Sequence, residues 1–419
     1  MSNYSTYARK GLKAVLAVIG FGVVSQQATA ASFAVKEQSV TYLGNAFAGT
    51  SSAALDASTG FYNPAGLSEL KHDQLIVAAT YLKARVKLYN ATTKDTAGTT
   101  RTGNLPTRPK SSALIPGVHL SHKVNNKYSL GLSVVAPFGL STKYTAGDIA
   151  RYMATESKLS SVDVSPSVSY KVNNRFSIGA ALDFIRVKAT LAANTRVASE
   201  GRVINKASGW TYGYHFGLLY KPSAVTKMGL AYFSGFTPRV KGSELIVNVP
   251  GRSSATLTAN MKLPDRINYS VTHKYTDEWT TMGELEWTHW SRLKFLRLNF
   301  SDGNSSTEYF FYKNAFRLSL GADYKYSGRI TLKSGISFEQ TPVQDNYRSA
   351  RVPDSDRLWL ALGVKYKYNK HVSIDAGYAH VFFRNATIAQ KGVGNSSALY
   401  GNYKSSADIV GLQLTWNFV

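Results

Sequence analysis

Three cations at every second position, Lys83, Arg85 and Lys87, alternate with Leu82, Ala84, Val86 and Leu88. Residues two apart in an extended chain share a face, so this stretch presents a basic row opposite an apolar one. Lys365 and Lys367 repeat the device. In a barrel such rows are expected to line the lumen and to suit anions. A second set of cations, Arg292, Lys294, Arg297 and Lys313, is interleaved between residues 290 and 313 with Leu293, Phe295, Leu296, Leu298, Phe300 and the run from Tyr309 through Phe310 to Tyr312. Apolar side chains at that density outside a core mark a binding surface, and the cations suit the acidic head of an amphiphile. Phe295, Phe300, Phe310 and Lys313 are therefore candidate ligand contacts.

Signatures of catalysis are absent: the chain has no HExxH, no GxSxG and no GxxxxGK. His119 and His122 are three apart on an expected strand, point to opposite faces and cannot share a metal. With no cysteine, disulfides, thiolate metal sites and a cysteine nucleophile are excluded. The chain reads as a non-enzyme without cofactor or metal.

The elements that position these residues are strands. Alternation recurs over Val162 to Tyr170, Trp210 to Tyr220, Phe316 to Tyr326, Leu358 to Tyr368 and Val410 to Phe418. Short turns are expected at Asn125-Asn126, Asn173-Asn174, Pro222-Ser223, Thr276 to Glu278, Ser327-Gly328 and Asn369-Lys370, with long polar connections between them. This predicts an all-β, fourteen-stranded antiparallel transmembrane barrel, with short turns in the periplasm and long loops outside. Tyr170, Phe176, Tyr220, Tyr275, Trp279 and Tyr324 beside the turns fit an interfacial aromatic girdle.

Three divisions follow. Residues 1–30, with Arg9, Lys10 and Lys13 before an apolar run and Ala28-Thr29-Ala30 after it, read as a signal peptide. Residues 31–72 are rich in Gly, Ala, Ser and Thr without alternation and read as a plug, or hatch, inside the barrel formed by 73–419. In the plug, Asn63-Pro64-Ala65 predicts a capped helical turn over Pro64 to Leu70, and Ser39 to Phe47 a second helical piece. The formal charge of +24 points to lipopolysaccharide phosphates as neighbours; the scatter of the cations along alternating strands disfavours nucleic acid.

The stretch EQSVTYLGNAFAGTSSAALDASTGFYNPAGL and the run Pro353 to Gly363, PDSDRLWLALG, resemble the long-chain fatty acid and hydrocarbon transporters of Gram-negative outer membranes, the FadL/TodX type. That resemblance implies a monomer in the outer membrane that passively takes up hydrophobic molecules, long-chain fatty acids first and aromatic or aliphatic hydrocarbons as the alternative. A general porin or a surface adhesin is the reading from another class. The resemblance further implies a route from the loops to a lumen pocket and out sideways at a kink in the third strand. The kink maps to Ala136, Pro137, Phe138 and Gly139, where Pro137 removes a ladder donor and Gly139 has no side chain to pack. It also implies a gate carboxylate at Glu339, with the Asn63-Pro64-Ala65 turn beside it and the kink. Ala193 and Glu308 stand where fatty-acid members carry a basic residue for the ligand head, so the expectation is either that Arg196, Lys313 or Arg317 substitutes or that the ligand lacks a carboxylate.

Overall fold

The computed structural model describes residues 32–94, 100–103, 106–145, 147–195, 200–391 and 398–419. The signal-peptide reading and Arg196 lie outside these residues. Fourteen antiparallel strands form one closed ring. They are β1 (Asp73–Lys94), β2 (Lys110–Lys123), β3 (Tyr128–Val135 and Gly139–Lys143), β4 (Glu156–Lys171), β5 (Phe176–Thr195) and β6 (Gly201–Tyr220). After them come β7 (Thr226–Phe233 and Arg239–Val247), β8 (Ala255–Asn260 and Arg266–Lys274), β9 (Trp279–Thr288 and Phe295–Phe300) and β10 (Ser305–Tyr309 and Ala315–Lys325). The ring ends with β11 (Ile330–Glu339), β12 (Arg357–Lys367), β13 (Val372–Phe383 and Ala386–Gln390) and β14 (Ala398–Phe418). Closure is by β1 on β14, from Asp73 opposite Phe418 upward.

One device repeats at all six short turns. The first turn residue's side-chain oxygen accepts the amides two and three positions on, a local bond that sets the reversal before any ladder forms. Asn125 takes Lys127 and Tyr128, Asn173 takes Arg175 and Phe176, and Asn369 takes His371 and Val372. Ser223, Thr276 and Ser327 do the same with hydroxyls.

Outside the ring, the alternation delivers an apolar surface: Trp210, Tyr212, Phe216, Leu318, Leu320, Leu362, Val410 and Leu412 are all exposed. Lipid replaces water there, because a barrel satisfies its backbone around the ring and can leave one face to hydrocarbon. On β1, however, the inner face is the apolar one. Leu82, Ala84, Val86 and Leu88 are buried, while Lys83, Arg85 and Lys87 point out of the barrel. The expected basic lining of the lumen is thus corrected at this row; on β12 Lys365 faces inward, toward Asp375 at 3.6 Å, and Lys367, on the same face, is exposed at the short-turn end of the strand.

Residues 32–72 fill the ring's interior and are almost wholly buried. Their regular pieces are α1 (Val40–Leu43), α2 (Thr59–Tyr62) and a 3₁₀ turn, Pro64–Glu69, whose Asn63 side chain accepts from the Ala65 amide at 3.1 Å. Wall glycines let the backbones touch: a Cβ on Gly335 would stand 2.2 Å from the Asn45 carbonyl carbon, and one on Gly179 would stand 2.3 Å from the Ala65 nitrogen. Gly335→Val or Gly179→Val should overpack this contact at a cost of about 1–3 kcal/mol, loosening the inner segment while the ring persists. Planar-bilayer recordings should then show open current that the parent chain lacks. Gly328→Ala, at a turn with open space around it, serves as the silent control.

Candidate functional site

A barrel strand that stops pairing leaves backbone groups which something else must satisfy. β3 stops after Val135 and resumes at Gly139. On its β4 side the ladder recovers after a bulge, from Val135 opposite Asp163 to Gly139 opposite Ser160. Toward β2 it does not: Val118 pairs with Val134, and the next pair is Lys110 with Lys143. The wall between those pairs carries no β2–β3 ladder.

The N-terminal segment supplies what the kink lacks. Ala34 forms an antiparallel bridge with Phe138, the Val35 amide donates to the Pro137 carbonyl at 2.8 Å, and the Gly139 amide donates to the Phe33 carbonyl at 2.9 Å. Gln38 clamps Ala136 from both sides, its Oε1 accepting the Ala136 amide and its Nε2 donating to the Ala136 carbonyl, each at 2.9 Å. Ser161 completes Phe138, accepting its amide at 2.8 Å. His119 on β2 contacts the Gln38 carbonyl through Nε2 at 3.0 Å and Ser133 through Nδ1 at 2.9 Å, so it tethers the clamp to the wall.

Next to the clamp, Lys36 is buried between two wall carboxylates. It binds Glu286 on β9 and faces Glu339 on β11 at 3.8 Å; Arg357 on β12 approaches Glu339 at 3.7 Å. Other wall groups hold the rest of the segment. Glu284 accepts the Thr50 amide at 2.6 Å, Lys333 donates to the Thr41 carbonyl at 2.9 Å, and the Gln413 side-chain oxygen accepts the Val40 amide at 2.9 Å. At the short-turn end Glu69 is bound by Lys221 at 2.6 Å; burial opposes its charge, but the lysine bond prevails and holds its carboxyl below the usual range.

Above the kink lies an apolar cavity enclosing about 840 Å³ of empty space, part of it open to solvent. Strands β7 to β10 all break at one level, and their outer pieces carry Val240, Leu257, Ala259, Leu296 and Leu298 into the lining, joined by Leu159, Val187 and Ala189. Phe33 forms part of its base, edge-on to Trp290 at 4.9 Å and 6.4 Å from Phe138, which in turn meets Phe236 at 5.4 Å. The aromatic cluster therefore joins the kink, the N-terminal segment and the cavity. Glu308 and Arg351, 3.3 Å apart, stand at the cavity's polar edge.

Of the five candidate ligand contacts, Phe310 alone lines this cavity. Phe300 is buried opposite Leu257 without reaching the lining; Phe295 and Lys313 are exposed. Arg317 is buried lower down, donating to the Ala46 carbonyl and lying 5.7 Å from the Phe47 ring. It braces residues 46 and 47, whose φ values of 49° and 59° are left-handed. The Asn63-Pro64-Ala65 turn is also not beside the kink. It packs on Gly179 and Gly217, with Ser169 donating to the Ala65 carbonyl at 3.0 Å. Ser169 pairs with Ser129, seven positions below Ala136 on β3, or roughly 20 Å along the strand. Glu339 keeps company with the kink through Lys36 instead.

Removing one member of a buried charge cluster strands the others, typically at about 3–5 kcal/mol. Lys36→Met should therefore release the clamp, raising protease cleavage within residues 32–72 while the barrel still migrates as folded on unboiled gels. Adding Glu286→Gln should recover much of the protection. An unchanged cleavage pattern in the single variant would contradict the clamp.

The family model described as "Outer membrane protein transport protein (OMPP1/FadL/TodX)" matches residues 21–418. Outer membrane protein P1 of Haemophilus influenzae is 27% identical over 445 residues, covering 93% of this chain and 96% of its own. The long-chain fatty acid transport protein of Escherichia coli K12 is 24% identical over 433 residues, covering 93% and 95%. Among solved structures, a FadL homologue from Pseudomonas aeruginosa superposes with a TM-score of 0.86 at 23% identity, covering 92% of this chain and 100% of that one. The Pseudomonas putida toluene transporter TodX gives 0.73 at 15%, covering 93% and 100%. With the closed barrel, its filled interior and a match over nearly the whole length, the chain belongs to the OMPP1/FadL/TodX family of outer membrane transport proteins of Gram-negative bacteria.

Proposed function

We propose that this protein admits hydrophobic molecules passively through the outer membrane, with long-chain fatty acids as the principal cargo. The ligand enters between the extracellular loops, rests in the apolar cavity and leaves sideways between β2 and β3 once residues 33–38 withdraw from the kink. The N-terminal segment acts as the hatch, Lys36 with Glu286 and Glu339 as its catch, and a single chain is the working unit, with lipopolysaccharide as its neighbour. The observation that carries this reading is the adjacency of cavity and ladder gap, separated by Phe33 and the clamp. A porin would need a continuous aqueous lumen; here the lumen is packed with buried side chains.

The relatives named above include both a fatty acid and a toluene transporter, and the cavity's polar edge separates the two readings. Arg351 and Lys158 are the cations in the cavity's lining; Arg351 is the more buried of the two, and Glu308 competes with a ligand carboxylate for it. Charge-assisted hydrogen bonds are worth about 1.5–3 kcal/mol, so Arg351→Gln should lower oleate uptake by about tenfold or more and leave toluene uptake unchanged. Glu308→Gln should raise oleate uptake. In a deletion strain complemented with each variant, equal effects on both cargoes would assign the protein to hydrocarbons. Failure of the parent gene to restore either uptake would remove the transport reading. Ala259→Trp, which fills the cavity, should abolish both.

A further inference from the structure

On the outer wall the alternating pattern changes chemistry at one level. Along β1 the outward residues run Val77, Ala79, Tyr81 and then Lys83, Arg85, Lys87. A tilted barrel strand needs about ten residues to cross the hydrocarbon core, and Lys83 stands ten beyond Asp73. The basic residues therefore begin where the lipid tails end, at the depth of the outer-leaflet head groups. Neighbouring strands bring further cations to that depth: Lys87 lies directly opposite Lys404 of β14, and Arg85 directly opposite Lys110 of β2.

Like charges directly opposed on one face of a sheet destabilise it, and here two such pairs sit side by side. A single carboxylate, Asp408, serves the group, and it is already engaged by Arg85 at 2.5 Å and by Tyr378 and His380 at 2.8 Å. Among the described residues no acid pairs with Lys87, Lys404, Lys110 or Arg108. Arg85, Lys87, Arg108 and Lys404 instead border one groove of about 1120 Å³, open to the surroundings, with Phe382 and Pro109 as apolar walls. Phe382 is itself exposed.

We infer that this groove binds the phosphates of an anionic outer-leaflet glycolipid, with its acyl chains against Phe382 and the apolar wall beneath. Multiple cations suit a multiply charged phosphate, the depth suits a head group, and Arg85, Lys87 and Lys404 stand on the outward face of their strands. A lipid phosphate between Lys87 and Lys404 turns their repulsion into a shared attraction. The inference rests on outer-membrane location and is independent of the uptake reading, because its test needs no transport.

The full chain, purified in detergent, is incubated with bis-phosphorylated lipid A or with the same lipid after enzymatic dephosphorylation, and retained lipid is counted by mass spectrometry of the intact complex. The bis-phosphorylated form should be retained at least about tenfold better, as expected for charge-assisted bonds. Lys87→Gln combined with Lys404→Gln and Arg108→Gln should erase the difference. Without lipid the triple variant should melt no lower than the parent, because its repulsion has been relieved. Equal retention of the two lipids, undiminished retention by the variant, or full displacement by equimolar inorganic phosphate would overturn the assignment.

Discussion

The constraint on which the rest of the structure depends is backbone hydrogen bonding around a closed ring. A membrane barrel has no water at its wall to satisfy a broken ladder. Pro137 breaks it, since proline has no amide to give, and the groups around it find their partners in Phe33, Val35 and Gln38 of a segment about a hundred residues earlier in the chain. The wall at this point is complete only while the N-terminal segment is in place. Closure of the barrel and seating of the N-terminal segment are thus one set of hydrogen bonds.

That coupling explains why so much charge is buried nearby. Glu284, Glu286, Lys333, Glu339, Asp375 and Gln413 project inward from strands whose outer faces are apolar. Their partners are the backbone of residues 41 and 50, the Lys36 ammonium and the Val40 amide, except for Asp375, which faces Lys365 and Lys333 across the wall. Polar contacts of this kind hold a segment in one register, and unlike a continuous apolar core they can be exchanged for water when the segment shifts. Small residues complete the fit. The cavity sits above this polar layer and is lined mainly by apolar side chains, with Glu308 and Arg351 at its edge, so in the proposed function an apolar ligand is held between the loops and an N-terminal segment that is polar beneath its aromatic cap.

Much of this architecture was legible in the sequence. Period-two alternation and the Asn, Ser and Thr turns define the fourteen strands, because both signals are local. Pro137 and Gly139 mark an interruption of pairing for the same reason, but a bulge or loop start suits them equally, and only the family resemblance pointed to a kink there. The phase of β1 was not legible: alternation separates two faces without saying which is inside, and beyond the membrane the outward face turns from apolar to basic. Lys83, Arg85 and Lys87 therefore looked like lumen residues. The cavity was hidden for a related reason, since Val187, Ala189, Leu257 and Ala259 are inward aliphatics that look in sequence like lipid-facing ones. Aromatic density drew attention to Phe295 and Phe300 instead. Arg317 and the Asn63-Pro64-Ala65 turn serve packing contacts made across more than a hundred residues, which no local pattern carries.

The central claim is that residues 33–38 must leave the kink for cargo to pass. The chain contains no cysteine, so Ala34→Cys with Phe138→Cys introduces one defined crosslink. The two residues are antiparallel bridge partners, whose Cα atoms lie about 4.5–5.5 Å apart, within disulfide range. Labelled oleate uptake is measured in cells carrying this variant under oxidising and reducing conditions. The account predicts uptake at the level of the deletion strain when crosslinked and full recovery on reduction. Undiminished uptake through the crosslinked barrel would contradict it.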